Sequence, residues 1–429
     1  MRWLILLLWP LPAFAAADFP PVEWMDSDPA EVELGQLLFY DPILSGNQGV
    51  ACATCHSPRF GTADGVSLGL GDGGIGLGPD RRVDPENLPE QRVPRNAPGL
   101  FNLGASEFTR MFYDGRLEAD PARPGGMRTP LGENMVEGFD TVLAAQAMFP
   151  VLSADEMAGH YSENAISQAV RMGQLALPGG AWDQLAARVT DIPEYRARFD
   201  DVLGPDAPVD FTDIANAIAA FVAYEWRADD SPFDRYLAGE PLEPAAERGR
   251  ALFYGAAGCA ACHSGRFQTD SQFYAIAMPQ IGPGKAARFE DNARDEGRMR
   301  VTGDPADAFA FRTPSLRNVT LTAPYGHSGA YATLEGVIRQ HLDPVGSLMS
   351  YDRSQAILPE LAGASDWRVL DDPAEMQAIA DANVLEPMSL DEAQIADLIA
   401  FLEALTEPGS QDGRLGVPET VPSGLPVAR

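Results

Sequence analysis

Positive charge, long apolar runs, histidine and cysteine are all in short supply in this 429-residue chain. Its 31 basic residues face 62 acidic ones, for a formal charge of −31, and lysine occurs only as Lys285. Nucleic acid is excluded as a partner, because its phosphates would be repelled. The acidity keeps the protein soluble and suits a basic partner. Apolar runs are confined to the start. Trp3 to Trp9 is too short to span a bilayer; with Arg2 before it and Ala13-Phe14-Ala15 behind, residues 1–16 form a secretory leader. Later apolar segments such as Ile214 to Trp226 are amphipathic or short, so no membrane span is expected once the leader is removed. In a Gram-negative cell the product would be periplasmic.

Four cysteines in an exported chain ordinarily suggest disulfides. Their positions overrule that. Cys52 and Cys55 lead directly into His56 in "CATCH", and Cys259 and Cys262 into His263 in "CAACH". This is the attachment motif for c-type haem. The thiols form thioethers to the porphyrin vinyls, and the tight turn carries the imidazole beneath the iron. A zinc knuckle would need four converging ligands, and a redox dithiol has no need of the histidine. No cysteine is left over, so two c-type haems are expected.

The layout suggests a duplication, with "LFY" shortly before each motif, at 38–40 and 252–254. A mostly α fold with few or no strands follows, built from two cytochrome c-like helical domains at residues 17–235 and 236–407. "DIANAIAAFVAYEW" (213–226) favours one apolar face, "LEPAAERGRALF" (242–253) opens the second domain, and "SLDEAQIADLIAFLEAL" (389–405) has a capping serine. The tail, 408–429, is rich in Pro, Gly and Ser and reads as disordered. "GLGDGG" (69–74) fits a nucleotide-loop pattern, but no strand precedes it and no helix follows; it reads as a flexible connection skirting the first haem.

A catalytic haem needs an open iron face and a nearby acid–base group, whereas an electron-transfer haem has both axial positions filled. Histidine scarcity bears on this. None occurs between His56 and His160, so the first haem lacks a local sixth ligand.

"CATCHSPRFGTADG", "RNAPGLFN" (95–102), "FYDGR" (112–116), "AAGCAACHSGRFQTD" (256–270) and "FRTPSLRNVTLTAPYGHSGAYATLEGVI" (311–338) resemble the bacterial di-haem cytochrome c peroxidase family, including its MauG branch. The resemblance implies a peroxidatic haem in the first domain, an electron-transfer haem in the second and calcium between them. It places a catalytic glutamate seventeen residues after Arg116, at Glu133. It places the sixth ligand of the second haem fourteen residues after His327, where this chain has His341. Asn96 and the carbonyls of Thr322 and Pro324 match the family's calcium ligands, and hard oxygen donors suit Ca²⁺.

Three departures stand out. Where many members carry a blocking distal histidine, the sixteenth residue after His56 is Asp72, which resembles the constitutively open state. The tryptophan between the haems is Tyr113, still able to relay an electron. The family's distal glutamine and proline map onto Arg123 and Met127. His327 is expected to hydrogen-bond near the haem, and His160 to pack. The expected activity is reduction of H₂O₂ with electrons from a small cytochrome c or cupredoxin. The alternatives are MauG-like oxidation of a protein or organic substrate, and electron transfer without catalysis.

Overall fold

The structure is a computed structural model that describes residues 19–286 and 290–429; the leader read from residues 1–16 lies outside them. Helices carry the fold, and the strands are two or three residues long. In the first half, α1 (Pro29–Tyr40) starts at Asp28, whose carboxylate accepts the Ala30 N–H at 2.7 Å. The last long helix of that half, α2 (Phe211–Glu225), starts at Asp210 with a reciprocal cap from Asp213. The second half contains α3 (Pro244–Phe253), α4 (Leu334–Leu342) and α5 (Glu392–Ala404). There α3 packs on α5 as α1 packs on α2.

Both crossings are made at a glycine. A Cβ on Gly35 would lie 1.8 Å from the Ala217 carbonyl oxygen, and one on Gly249 would lie 1.8 Å from that of Asp397. The aromatic residues behind them repeat too. Phe39 and Tyr40 lie 5.4 and 6.1 Å from Phe221, and Phe253 and Tyr254 lie 5.1 and 5.9 Å from Phe401. The repeated "LFY" is thus a repeated helix crossing. Gly249→Ala is expected to force α3 and α5 apart and cost about 1–3 kcal/mol by overpacking. Denaturant melts of the haem-loaded protein check this; an unchanged midpoint would show that the crossing can widen freely.

Local expectations needed correction in four places. α2 is buried almost all round rather than on one face, because α1 covers one side and the helices Val142–Ala147 and Ala181–Thr190 cover others. α5 is capped by Asp391, not Ser389: Asp391 accepts the Gln394 N–H and Gln394 returns to the Asp391 N–H, both at 2.9 Å. The 69–74 loop is not flexible. Leu68 and Leu70 are fully buried, the Asp72 N–H donates to the Asp155 carbonyl, and Arg81 donates to the Gly71 and Gly74 carbonyls. The loop runs into a short hairpin, β1 (Gly74–Ile75) with β2 (Arg82–Val83).

The tail is the fourth. Instead of being disordered, residues 408–429 return to the first half. The buried Glu225 carboxylate accepts the N–H groups of Arg414, Leu415 and Gly416 at 2.7–3.0 Å, and Ser423 Oγ donates to Asp41 at 2.7 Å. Buried carboxylates need donors, and the tail supplies them.

Two small sheets frame the space between the haem motifs. β3 (Arg110–Met111), β4 (Leu117–Ala119) and β5 (Met127–Arg128) form one antiparallel sheet, and β6 (Phe273–Tyr274) pairs with β7 (Phe311–Arg312). The Arg95 guanidinium is buried between Asp114 at 2.7 Å and Asp295 at 2.6 Å, which ties the two halves together. Among the described residues no helix is long and apolar enough to cross a membrane.

Candidate active site

The first motif is a helical turn, Cys52–Cys55, that delivers His56 at its end. His56 Nδ1 donates to the Thr62 carbonyl at 3.0 Å, which leaves Nε2 as the available donor to a metal. Thr62 is fixed in turn, its Oγ1 accepting the Leu100 N–H at 2.7 Å, so "RNAPGLFN" braces the proximal loop. The second motif repeats this: His263 Nδ1 donates to the Gln268 carbonyl at 3.1 Å. On α4, His341 Nδ1 donates to the Val337 carbonyl at 2.8 Å, again leaving Nε2 available. Burial, and after it His341, push His263 down to about 4.

The cysteines separate the haem reading from its rivals. Burial pushes the Cys52 thiol up to about 12 and the Cys55 and Cys259 thiols up to about 11. A redox dithiol needs the opposite, an easily formed thiolate. Among the described residues no three His, Cys, Asp or Glu side chains converge as a metal cluster. Paired, partly buried thiols beside an imidazole with a free Nε2 fit covalent haem at both motifs.

Tyr113 is half-buried between the halves. Its hydroxyl reaches Asn96 Oδ1 at 3.4 Å, and its carbonyl accepts the Arg312 N–H at 2.7 Å. Asn96 spends its Nδ2 on the Val66 and Ser67 carbonyls, at 2.8 and 3.3 Å, which leaves Oδ1 as an oxygen donor. Its N–H donates to the His327 carbonyl at 2.9 Å, which holds it against the segment containing Thr322 and Pro324. His327 is buried and stacks on Phe311 at 3.7 Å. His160 is buried in packing, as expected.

Glu133 is not brought to the first haem motif. It is exposed on the turn Gly132–Asn134, beyond the β4–β5 hairpin. Arg123 is exposed as well, paired with Asp120, and Met127 is a strand residue packed on the first core. Besides Asp64, the carboxyl group acting on the motif is Glu156. It acts on the Cys55 thiol, after burial, Arg81 and Asp64, and on the Lys285 ammonium. Glu156 sits half-buried in a π-helical turn, Ala154–Ala158, where the Ser153 carbonyl accepts three successive N–H groups at 2.9–3.2 Å. Such turns recur at functional sites. A sequence signal existed for it: Gln146 and Pro150 precede Glu156 by ten and six residues.

Two further groups line this region. Asp64 is buried, and burial pushes it up to about 7, with the Val66 N–H and Arg81 opposing. Asp72, at the position of the absent distal histidine, spends its carboxylate on Asn47 and Asn87 at 2.8 and 3.1 Å.

The chain matches the di-haem cytochrome c peroxidase family model over residues 29–241 and the cytochrome c model over residues 246–406. It is 29% identical over 419 residues to cytochrome-c peroxidase IdrP1 of Denitromonas iodatirespirans, covering 91% of this chain and 86% of that one. It is 29% identical over 316 residues to the methylamine utilization protein MauG of Methylorubrum extorquens, covering 73% and 69%. Among solved structures, a MauG-like protein associated with microbial copper homeostasis superposes with a TM-score of 0.57 at 26% identity, covering 94% and 96%.

Proposed function

Because the chain belongs to the bacterial di-haem cytochrome c peroxidase family and is a haem oxidoreductase acting on peroxide, we propose that it reduces H₂O₂ to water in the periplasm, with Glu156 as the acid–base group. The two haems, once bound, supply the redox chemistry. His56 would hold the first through Nε2, and His263 and His341 the second. Glu156 takes a proton from one peroxide oxygen and delivers it to the leaving one, the transfer a carboxyl group makes when held at hydrogen-bond reach. The observation that carries this is the half-buried Glu156 carboxyl, fixed in its π-helical turn and acting on the Cys55 thiol, with no histidine on the loop that could close the site. Asn96 Oδ1 and the carbonyls of Thr322 and Pro324 would hold calcium between the halves.

Electrons would enter from a small cytochrome c or cupredoxin and cross near Tyr113. Oxidation of a protein or organic substrate is the second reading. His341 favours it, because imidazole in place of a thioether keeps the second haem at a lower potential.

Mixing the as-isolated ferric protein with peroxide in a stopped-flow spectrometer tests the open site. One high-spin and one low-spin haem, reacting without prior reduction, is the expected result. Two low-spin haems that ignore peroxide until an electron is added would overturn it. Turnover with reduced cytochrome c then distinguishes peroxidase from protein oxidant.

A further inference from the structure

The second haem motif carries a group that neither its attachment nor its ligation uses. Tyr274, the second residue of β6, is half-buried, and its phenol donates to Asp270 Oδ2 at 2.8 Å. The same phenol oxygen interacts with the Cys262 sulfur, the atom that joins the porphyrin when haem is attached. Asp270 is held firmly for this. Its N–H donates to the Cys262 carbonyl at 2.9 Å, and its Oδ1 accepts the Gln272 N–H at 2.9 Å. One phenol oxygen thus meets both the cofactor's covalent link and a fixed carboxylate.

We propose that Tyr274, with Asp270 as its proton acceptor, is the relay through which single electrons pass between the protein surface and the second haem. The proposal rests on the peroxidase reading above. A phenol that loses an electron becomes strongly acidic, so a relay tyrosine needs a base already in hydrogen-bond contact. Among the described residues Tyr113 lacks one: its hydroxyl meets the Asn96 amide oxygen, at 3.4 Å. Tyr274 has a carboxylate at 2.8 Å.

The step balances. Tyr274 gives one electron, by way of the Cys262 sulfur, to the haem pair that peroxide has oxidised. Its O–H bond breaks and the proton moves to Asp270 Oδ2, leaving a neutral phenoxyl radical. An external one-electron donor then reduces the phenoxyl, which takes its proton back from Asp270. A donor that docks here need not reach the porphyrin itself.

The test uses holoprotein, with Tyr274→Phe and Asp270→Asn variants. Each is mixed with peroxide without a donor, freeze-quenched and examined by electron paramagnetic resonance. The wild type should show an organic radical whose hyperfine pattern changes when its tyrosines are ring-deuterated. In Tyr274→Phe that signal should be lost and the peroxide-induced haem spectrum should persist longer. In Asp270→Asn the radical yield should fall although the phenol remains. An unchanged low-spin spectrum of the second haem shows that each variant has kept its fold. Equal radical yield and decay in wild type and Tyr274→Phe overturn the relay. If peroxide leaves the wild-type haem spectrum unaltered, the peroxidase reading fails instead. Flash photo-oxidation by a ruthenium complex then reports the relay directly, and a radical independent of Tyr274 there overturns it.

Discussion

Glu156→Gln is expected to slow the reaction of the ferric protein with peroxide by about 10²–10⁴-fold, the usual worth of a positioned acid–base group. Both haems should remain attached, because Glu156 touches neither axial histidine in the hydrogen-bond pattern of His56 and His263. Glutamine keeps the size of the side chain and removes only the exchangeable proton site. Stopped-flow traces at several peroxide concentrations separate this from weaker peroxide binding, since the loss should appear in the chemical step. Glu133→Gln is the paired control and should change the rate by less than about twofold, as exposed substitutions away from a site do. A large loss in Glu133→Gln with a normal Glu156→Gln would reverse the assignment.

His341→Gly should leave the second haem covalently attached through Cys259 and Cys262 while turning it from low-spin to high-spin. His341 ends α4 with its Nδ1 fixed on the Val337 carbonyl, so only Nε2 is left to point at the haem. Glycine also weakens the last turn of α4, by about 1 kcal/mol. Added imidazole separates the two effects, because it should refill the axial position and restore the low-spin spectrum without repairing the helix. The midpoint potential of that haem should shift too, as axial ligand identity sets it. An unchanged spectrum would return His341 to an ordinary packed histidine.

How far these sites were visible beforehand depended on the range of the physics involved. The haem motifs were legible because thioether and imidazole must lie within one turn of each other. The paired domains were legible because "LFY" and the glycine before it recur wherever two helices must cross closely. The His341 position was read from its fourteen-residue spacing to His327. The proposed acid–base carboxyl was not legible. Counting from Arg116 assumes an unbroken chain, but the β4–β5 hairpin and the turn at Gly132–Asn134 intervene and carry Glu133 out to solvent. The spacing of Gln146, Pro150 and Glu156 preserved the pattern further along. Composition misled at the tail for a different reason. Proline, glycine and serine say little about order when the backbone N–H groups have a buried carboxylate to satisfy, and Glu225 lies far away in sequence. Asp64 and the Tyr274–Asp270 pair were invisible for the same reason, since burial and side-chain contact belong to the folded chain.

The returning tail also changes what counts as a module here. A duplicated cytochrome suggests two interchangeable parts, either of which could be lifted out and studied alone. Yet Glu225 and Asp41, both in the first half, take hydrogen bonds from residues 414–416 and 423, beyond the end of the second. Cutting between the halves would leave Glu225 a buried carboxylate stripped of three donors. The first half therefore has no boundary of its own, and what began as a repeat has become an obligate pair, inheritable and engineerable only as a whole.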